Sequence, residues 1–272
     1  MINNLFVFIF GLTIGSFLNV CIYRLPKGIF LKQKFSFCPH CKQRIKWFDN
    51  IPLLSYILLK GRCRHCRQRI SFNYPLVELL TGIGFLFFYL KWSLTAYFFT
   101  ACLFLCLLIV ATFADFKCRI IPDEVNLGGL FVGFGASIFF PFLHGSSSVG
   151  YSVSDSFLGI LIGGGSLYIT GVLGALVFRK EAMGGGDVKL LAMVGAFWGW
   201  KLTLFAFFLA PCLAIIPGIC QLIRRKEHTI PYGPFLALAS LIGLWFLPQV
   251  NNIVKEYMQT LIYMGQFLFG KG

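Results

Sequence analysis

Four cysteines, arranged as two Cys-x-x-Cys pairs, form the most chemically specific pattern in this sequence. Cys38 and Cys41 make the first pair, and Cys63 and Cys66 make the second after 21 intervening residues. Thiolates at this spacing are typical of a tetrahedral zinc site, and four of them leave no open position for a reacting water. Basic residues after each pair favour the thiolate form. The pattern predicts a structural zinc site, with two disulfides as the alternative if the segment lies in an oxidising compartment.

A carboxylate preceded by three glycines is the second pattern with chemical potential. Gly184, Gly185, Gly186 and Asp187 stand directly ahead of an apolar stretch. An aspartate at this place is an ordinary cap for the start of a helix. A cap does not need three glycines, whereas close approach of an extended peptide does, and a flexible turn is the other explanation.

Asp115 is a second carboxylate at the end of an apolar stretch. An unpaired carboxylate at the hydrocarbon boundary is costly, so Asp115 either has a function or is neutralised by Lys117 or Arg119. If Asp115 and Asp187 meet, one protonated carboxyl can polarise a carbonyl while the other, ionised, activates a water. This division of labour is that of aspartic proteases. Asp155 lies in a polar stretch, where we expect solvation to account for it.

The elements that position these residues are transmembrane helices. Of the 272 residues 57% are hydrophobic and 12% are charged, and the mean hydropathy is +0.78. A helix needs about 20 apolar residues to cross the hydrocarbon, and such runs recur along the chain. The expected fold is an all-α polytopic membrane protein with about eight spans, near residues 4–23, 76–91, 94–114, 125–143, 155–178, 188–200, 202–222 and 231–248.

These spans divide the chain into four predicted segments. They are a first transmembrane helix (1–23), a small zinc-binding cytoplasmic insertion (24–75), a membrane-embedded core (76–250) and a tail that is a surface helix or an extra span (251–272).

The basic residues indicate which ends of the helices face the cytoplasm. Twenty of the 24 lysines and arginines fall in four connecting segments, which the positive-inside rule places in the cytoplasm: 24–75, 115–124, 179–189 and 223–230. Asp115 and Asp187 are then both at cytoplasmic ends of spans. The net charge of +14 is explained by this topology and by attraction to the membrane surface, so we expect a lipid bilayer and no nucleic acid as a partner. No serine-triad frame, Walker loop or dinucleotide-binding fingerprint is present in the sequence.

With these residues placed, the sequence resembles the type IV prepilin peptidases, which are Gly-x-Gly-Asp membrane aspartic proteases. The resemblance covers nearly the whole chain and rests on motifs in a fixed order: "GSFLNVCIYRLP" from Gly15, the two cysteine pairs, "DNIPLLSY" from Asp49, "YPLVELLTG" from Tyr74, "ADFKCRIIPD" from Ala114 and "MGGGDVKL" from Met183.

The resemblance implies two activities at the bacterial inner membrane. Asp115 and Asp187 correspond to the catalytic pair that cuts the basic leader from type IV prepilins and pseudopilins on the cytoplasmic side, with Gly184 to Gly186 beside the substrate. The enzyme then methylates the new N-terminus with S-adenosylmethionine, a step that the family associates with segment 24–75. No motif shows the residues that bind the methyl donor. Glu78 is the leading candidate, and an interfacial ion pair is its alternative explanation.

Three other functions compete with this interpretation. A presenilin-type intramembrane protease shares the Gly-x-Gly-Asp motif, but its companion motif is Tyr-Asp, whereas Asp115 follows Ala114. In a proton-coupled transporter, both aspartates would carry protons. A non-enzymatic assembly factor would use the zinc segment to dock partners.

Overall fold

The computed structural model describes residues 2–30, 35–179, 183–225, 231–246 and Thr260. Regular structure in these ranges is helical, and the β-type pairings are isolated bridges near the cysteines. The α-helices are α1 Ile2–Arg24, α2 Leu54–Leu58, α3 Asn73–Trp92, α4 Ala96–Cys118, α5 Asp123–Phe139, α6 Val149–Phe178, α7 Gly185–Arg225 and α8 Gly233–Trp245.

Five of the helical stretches are long and apolar enough to cross a membrane: Ile2–Lys27, Asn73–Trp92, Ala96–Cys118, Val149–Val177 and Gly185–Gln221. Helix α5 has 17 residues, and α8 has 13. The prediction of an all-helical polytopic membrane protein with a cysteine insertion after the first helix is confirmed. The tail 251–272, predicted as a surface helix or an extra span, lies outside the described residues apart from Thr260.

Helix α7 contains two of the predicted spans, 188–200 and 202–222. The two parts meet at Gly199, whose backbone angles of φ 76° and ψ −179° are not helical. This combination of angles is essentially restricted to glycine. The break between the two spans is therefore built by one residue and needs no connecting loop.

The chain forms two compact units, Met1–Gly129 and Leu130–Gly272. In the first unit, α1 packs along α3, and α4 packs against both helices. Phe104 and Leu108 of α4 are fully buried there. In the second unit, α7 packs against α6 and α8. The four segments predicted from the sequence were divided by hydropathy and motifs and not by helix packing. This division stays a prediction.

The end of α4 places Asp115 in the last helical turn. Arg119 takes a left-handed conformation, with φ 54°, and its N–H donates to the carbonyl of Asp115 at 2.8 Å. This arrangement is a common way to end a helix. Pro122 then precedes α5, which begins at Asp123. The sequence "CRIIPD" thus turns the chain between two apolar helices.

Candidate functional site

The four cysteines converge on one point, as the sequence predicted. Their sulfurs all lie within 4.8 Å of one another, and Cys38 Sγ is 3.9 Å from Cys66 Sγ. Sulfurs bound at about 2.3 Å to a tetrahedral zinc are about 3.8 Å apart. All four cysteines are free thiols in the structure, which does not favour the disulfide alternative. The geometry fits a single zinc ion held by Cys38, Cys41, Cys63 and Cys66.

Two similar knuckles hold these sulfurs. In the first knuckle, the N–H of Cys38 donates to the carbonyl of Gln43, and the N–H of Lys42 donates back to Cys38, both at 2.9 Å. The equivalent two bonds recur in the second knuckle around Cys63, at 2.9 and 3.0 Å. Each knuckle also turns through a left-handed residue, Lys42 at φ 61° and Arg67 at φ 59°. The repeated sequence pattern around each cysteine pair is therefore a repeated backbone shape.

Backbone groups favour the thiolate form of one cysteine. The N–H groups of Cys66 and His65, the former contributing most, lower the pKa of Cys63 to about 7. A thiolate is the form that binds metal. The knuckle backbone therefore favours the metal-binding form of Cys63.

An ion pair braces the second knuckle against the preceding 3₁₀ turn, Trp47–Asn50. Arg64 donates through Nε and Nη2 to the two oxygens of Asp49 at 2.8 and 2.6 Å. This two-pronged bond holds the pKa of Asp49 below its ordinary value. The pair fixes the position of the turn relative to the cysteines.

A cavity of about 590 Å³ lies beside the cysteine cluster within the first unit. Its lining includes Cys38 and Cys63 at one part and Ser16 of α1 and Glu78 of α3 at another. Glu78 is 8% exposed, and its Oε2 accepts the N–H of Leu53 at 2.8 Å. The carboxylate that the sequence singled out for the methyl-transfer step therefore lines the same cavity as the cysteine cluster.

The two aspartates predicted to form a dyad lie in different compact units. Asp115 belongs to the first unit and is 7% exposed. Asp187 belongs to the second unit and lies in the first turn of α7, where its N–H donates to the carbonyl of Gly184 at 3.1 Å. The pairing of the two carboxylates stays a prediction.

The glycines before Asp187 leave space at the start of α7. A Cβ added at Gly185 would contact nothing within 4 Å, and one at Gly184 would approach only Asp187 Oδ2, at 3.4 Å. Open space of this kind is compatible with a peptide backbone beside the carboxylate, as the sequence suggested.

Tyr232 is a neighbour of Asp187 that the sequence did not single out. It precedes α8 and interacts electrostatically with Asp187. Its phenol can donate a hydrogen bond. Sequence patterns did not identify Tyr232, because it follows a long polar connecting segment.

The expectation that Asp155 is a solvated loop residue is wrong. Asp155 lies in α6, is 8% exposed, and pairs through Oδ2 with Nδ1 of His144 at 2.7 Å. The imidazole of His144 is itself fully buried. In the sequence, both residues belong to one polar stretch, and no pattern indicates that their side chains are buried.

Comparisons with known proteins identify the family to which the chain belongs. Residues 9–92 match the bacterial peptidase A24 N-terminal domain, and residues 102–219 match the type IV leader peptidase family. No solved structure matches the chain.

Among curated relatives, the chain is 36% identical over 260 residues to the "Type 4 prepilin-like proteins leader peptide-processing enzyme" of Escherichia coli O78:H11, covering 86% of this chain and 91% of that protein. It is 34% identical over 262 residues to the "Prepilin leader peptidase/N-methyltransferase" of Pectobacterium carotovorum, covering 87% and 90%. The protein of the same name from Aeromonas salmonicida is 35% identical over 288 residues, covering 94% of both chains. Matches of this extent, together with both domain matches, show that the chain belongs to the type IV leader peptidase family.

Proposed function

We propose that this protein removes the leader peptide of type IV prepilins and pseudopilins and then methylates the new N-terminus. The observation that carries the proposal is similarity over most of both chains to enzymes named for these two activities. The membrane helices support a bilayer as its environment. The asymmetry of basic residues supports an orientation with both sites facing the cytoplasm, and helical spans suit the bacterial inner membrane.

Asp115 and Asp187 form the peptidase dyad in this proposal. The burial of Asp115 and the position of Asp187 in a first helical turn both suit carboxyl groups that act on a peptide at the membrane edge. Two neighbouring carboxyls share one proton because both cannot ionise at close range. The protonated member polarises the scissile carbonyl, the ionised member takes a proton from the attacking water, and the leaving amine recovers a proton. Gly184 to Gly186 admit the extended substrate.

Zinc has a structural role in this proposal. Four thiolates fill the coordination shell of the zinc, so no position remains for a reacting water. The metal therefore stabilises the fold of segment 24–75. Cys38 and Cys63 line the cavity, and the metal that they hold therefore maintains one part of its wall. S-adenosylmethionine is the proposed methyl donor.

Prepilin cleavage by purified dyad variants tests the peptidase proposal. We expect Asp115→Asn and Asp187→Asn each to abolish release of the leader, because an amide can neither accept the proton from water nor share one with its partner. Asp123→Asn is the matched control, since Asp123 is exposed at the start of α5. Zinc content and thermal stability report whether each variant is folded.

The cleavage product separates the competing functions. A leader released at its junction with the hydrophobic helix supports the proposal, whereas a cut within the helix supports a presenilin-type protease. Full cleavage by either dyad variant contradicts the proposed dyad. Absence of any cleavage by the wild type, with proton-coupled uptake instead, supports a transporter.

A further inference from the structure

The cavity in the first unit contains a buried carboxyl group, that of Glu78, which makes no ion pair with a described protein cation. Glu78 receives the N–H of Leu53 and a hydrogen bond from Ser16, both of which are neutral donors. Among the residues that the structure describes, no lysine, arginine or histidine makes an ion pair with Glu78. A buried carboxylate is stable when a cation or several hydrogen bonds compensate its lost hydration. Glu78 is therefore suited to receive a cation from outside the chain.

The backbone at Leu53, which donates a hydrogen bond to this carboxylate, has a strained conformation. Leu53 has φ 58° and ψ −48°, a conformation that a leucine rarely adopts. In this conformation its N–H points to Glu78 Oε2, and the following residues form the short helix α2. Strain of this kind is maintained only where the surrounding structure imposes it, and it is concentrated at functional sites. The strained conformation of Leu53 therefore indicates that the surrounding structure fixes this residue in position beside Glu78.

The rest of the lining suits a zwitterionic, partly aromatic ligand. The cavity volume of about 590 Å³ is within the range of small-molecule sites. Tyr74 offers aromatic surface for a base or an alkylated cation, and Lys117 offers positive charge for a carboxylate. These groups match the adenine, the sulfonium and the amino-acid portion of S-adenosylmethionine.

We propose that Glu78 binds, within this cavity, the positive charge of a reactant in the methyl transfer that the family associates with the cysteine-bearing segment. The inference rests on the proposed methyltransferase function. The charge is either the sulfonium of the donor or the ammonium of the acceptor peptide. The peptide ammonium first loses a proton to water, and the nitrogen lone pair then forms a bond to the methyl carbon. The carbon–sulfur bond breaks with its electron pair on sulfur, which leaves a methylated ammonium and a neutral thioether.

Calorimetric binding to the purified full-length protein in nanodiscs tests the role of Glu78. The wild type and Glu78→Gln are titrated with S-adenosylmethionine and with S-adenosylhomocysteine, which lacks the sulfonium charge. The Michaelis constant for a peptide with a free N-terminal phenylalanine is measured alongside. Glu124→Gln, the same exchange on the exposed start of α5, is the matched control.

Two outcomes support the inference and identify the source of the charge. If Glu78 faces the sulfonium, Glu78→Gln binds S-adenosylmethionine at least tenfold more weakly and S-adenosylhomocysteine unchanged. If it faces the ammonium, donor binding is unchanged and the Michaelis constant for the peptide rises at least tenfold. Wild-type values for all three quantities in Glu78→Gln overturn the inference. Zinc content and melting temperature at wild-type values in both variants report that they are folded.

Cross-linking on the wild type removes any dependence on variants. Ultraviolet irradiation with tritiated S-adenosylmethionine is expected to label peptides that line the cavity, within residues 16–78. Label confined to residues 130–272, or no binding by a wild type that still cleaves prepilin, overturns the inference. Neither result bears on the aspartyl dyad, so failure of this site and failure of the peptidase proposal are distinguishable.

Discussion

His144 and Asp155 form a buried pair in the second unit, with Nδ1 2.7 Å from Oδ2. His144 ends the 3₁₀ turn Pro141–His144, and Asp155 lies in the second turn of α6. Both side chains reach Gly199, the residue at which α7 breaks. The pair therefore connects the turn, α6 and the break in α7. Asp187 lies in the first turn of this same helix, α7.

Gly199→Ala is expected to destabilise the second unit strongly. An added Cβ would overlap the carboxylate of Asp155, and the backbone angles of Gly199 are unfavourable for any other residue. Backbone strain alone costs about 1–3 kcal/mol, and displacement of a buried hydrogen-bonded pair adds to it. Thermal unfolding in detergent measures the effect, with Gly135→Ala as the control because its Cβ meets nothing within 4 Å. Equal melting temperatures for the two variants would contradict the described break.

Asp155→Ala is expected to cost about 1–3 kcal/mol of stability, because it leaves the buried imidazole of His144 without its carboxylate partner. Ser154→Ala, the adjacent exposed position, is expected to be close to neutral. Denaturant unfolding of both variants gives the comparison. If Asp155→Ala is no more destabilised than Ser154→Ala, the pair contributes no net stability.

Gly159→Ala tests the close packing of α6 on α7. A Cβ at Gly159 would lie 2.8 Å from the Cα of Gly195, well inside van der Waals contact. Small residues at such crossings allow helix backbones to approach closely in membranes. We expect a loss of about 1–3 kcal/mol, typical of overpacking, in contrast to Gly165→Ala in the same helix, where the added Cβ has open space. Alanine favours a helix over glycine by about 1 kcal/mol, so Gly165→Ala should stabilise the protein or leave it unchanged.

Cys63→Ser is expected to reduce zinc content well below one ion per chain, because serine does not replace a thiolate ligand. Metal analysis of purified protein measures this loss, and prepilin cleavage should decline less than zinc content. Cys212→Ser is the control, since Cys212 is outside the cluster and exposed on α7. One zinc per chain in Cys63→Ser would mean that the ligand set is wrong.

Much of the architecture and of the cysteine site could be predicted because their signals are local. Apolar runs of membrane-spanning length determine helices whatever packs against them, since the bilayer offers no other partners for backbone groups. The spacing within each Cys-x-x-Cys pair places both sulfurs on one knuckle, and a shared metal needs only two such knuckles. The position of Asp115 at a helix end followed from the same hydropathy boundaries.

The surroundings of single polar residues could not be predicted in this way. Asp155 and His144 stand in a stretch rich in serine and glycine that resembles a solvated loop, and only the packing of α6, α7 and the 3₁₀ turn buries them. Glu78 was recognisable as a carboxylate near a helix start. The residues that line its cavity, and Leu53, whose N–H binds it, belong to segments distant in sequence.

Hydropathy, ligand spacing and ordered motifs are properties of short stretches, so they were sufficient to predict the membrane helices, the metal-binding knuckles and the family. Which carboxylates are buried and which of them are paired came only from the tertiary structure. Burial and pairing depend on the faces that neighbouring helices present to each other, and these contacts join residues that no local pattern connects.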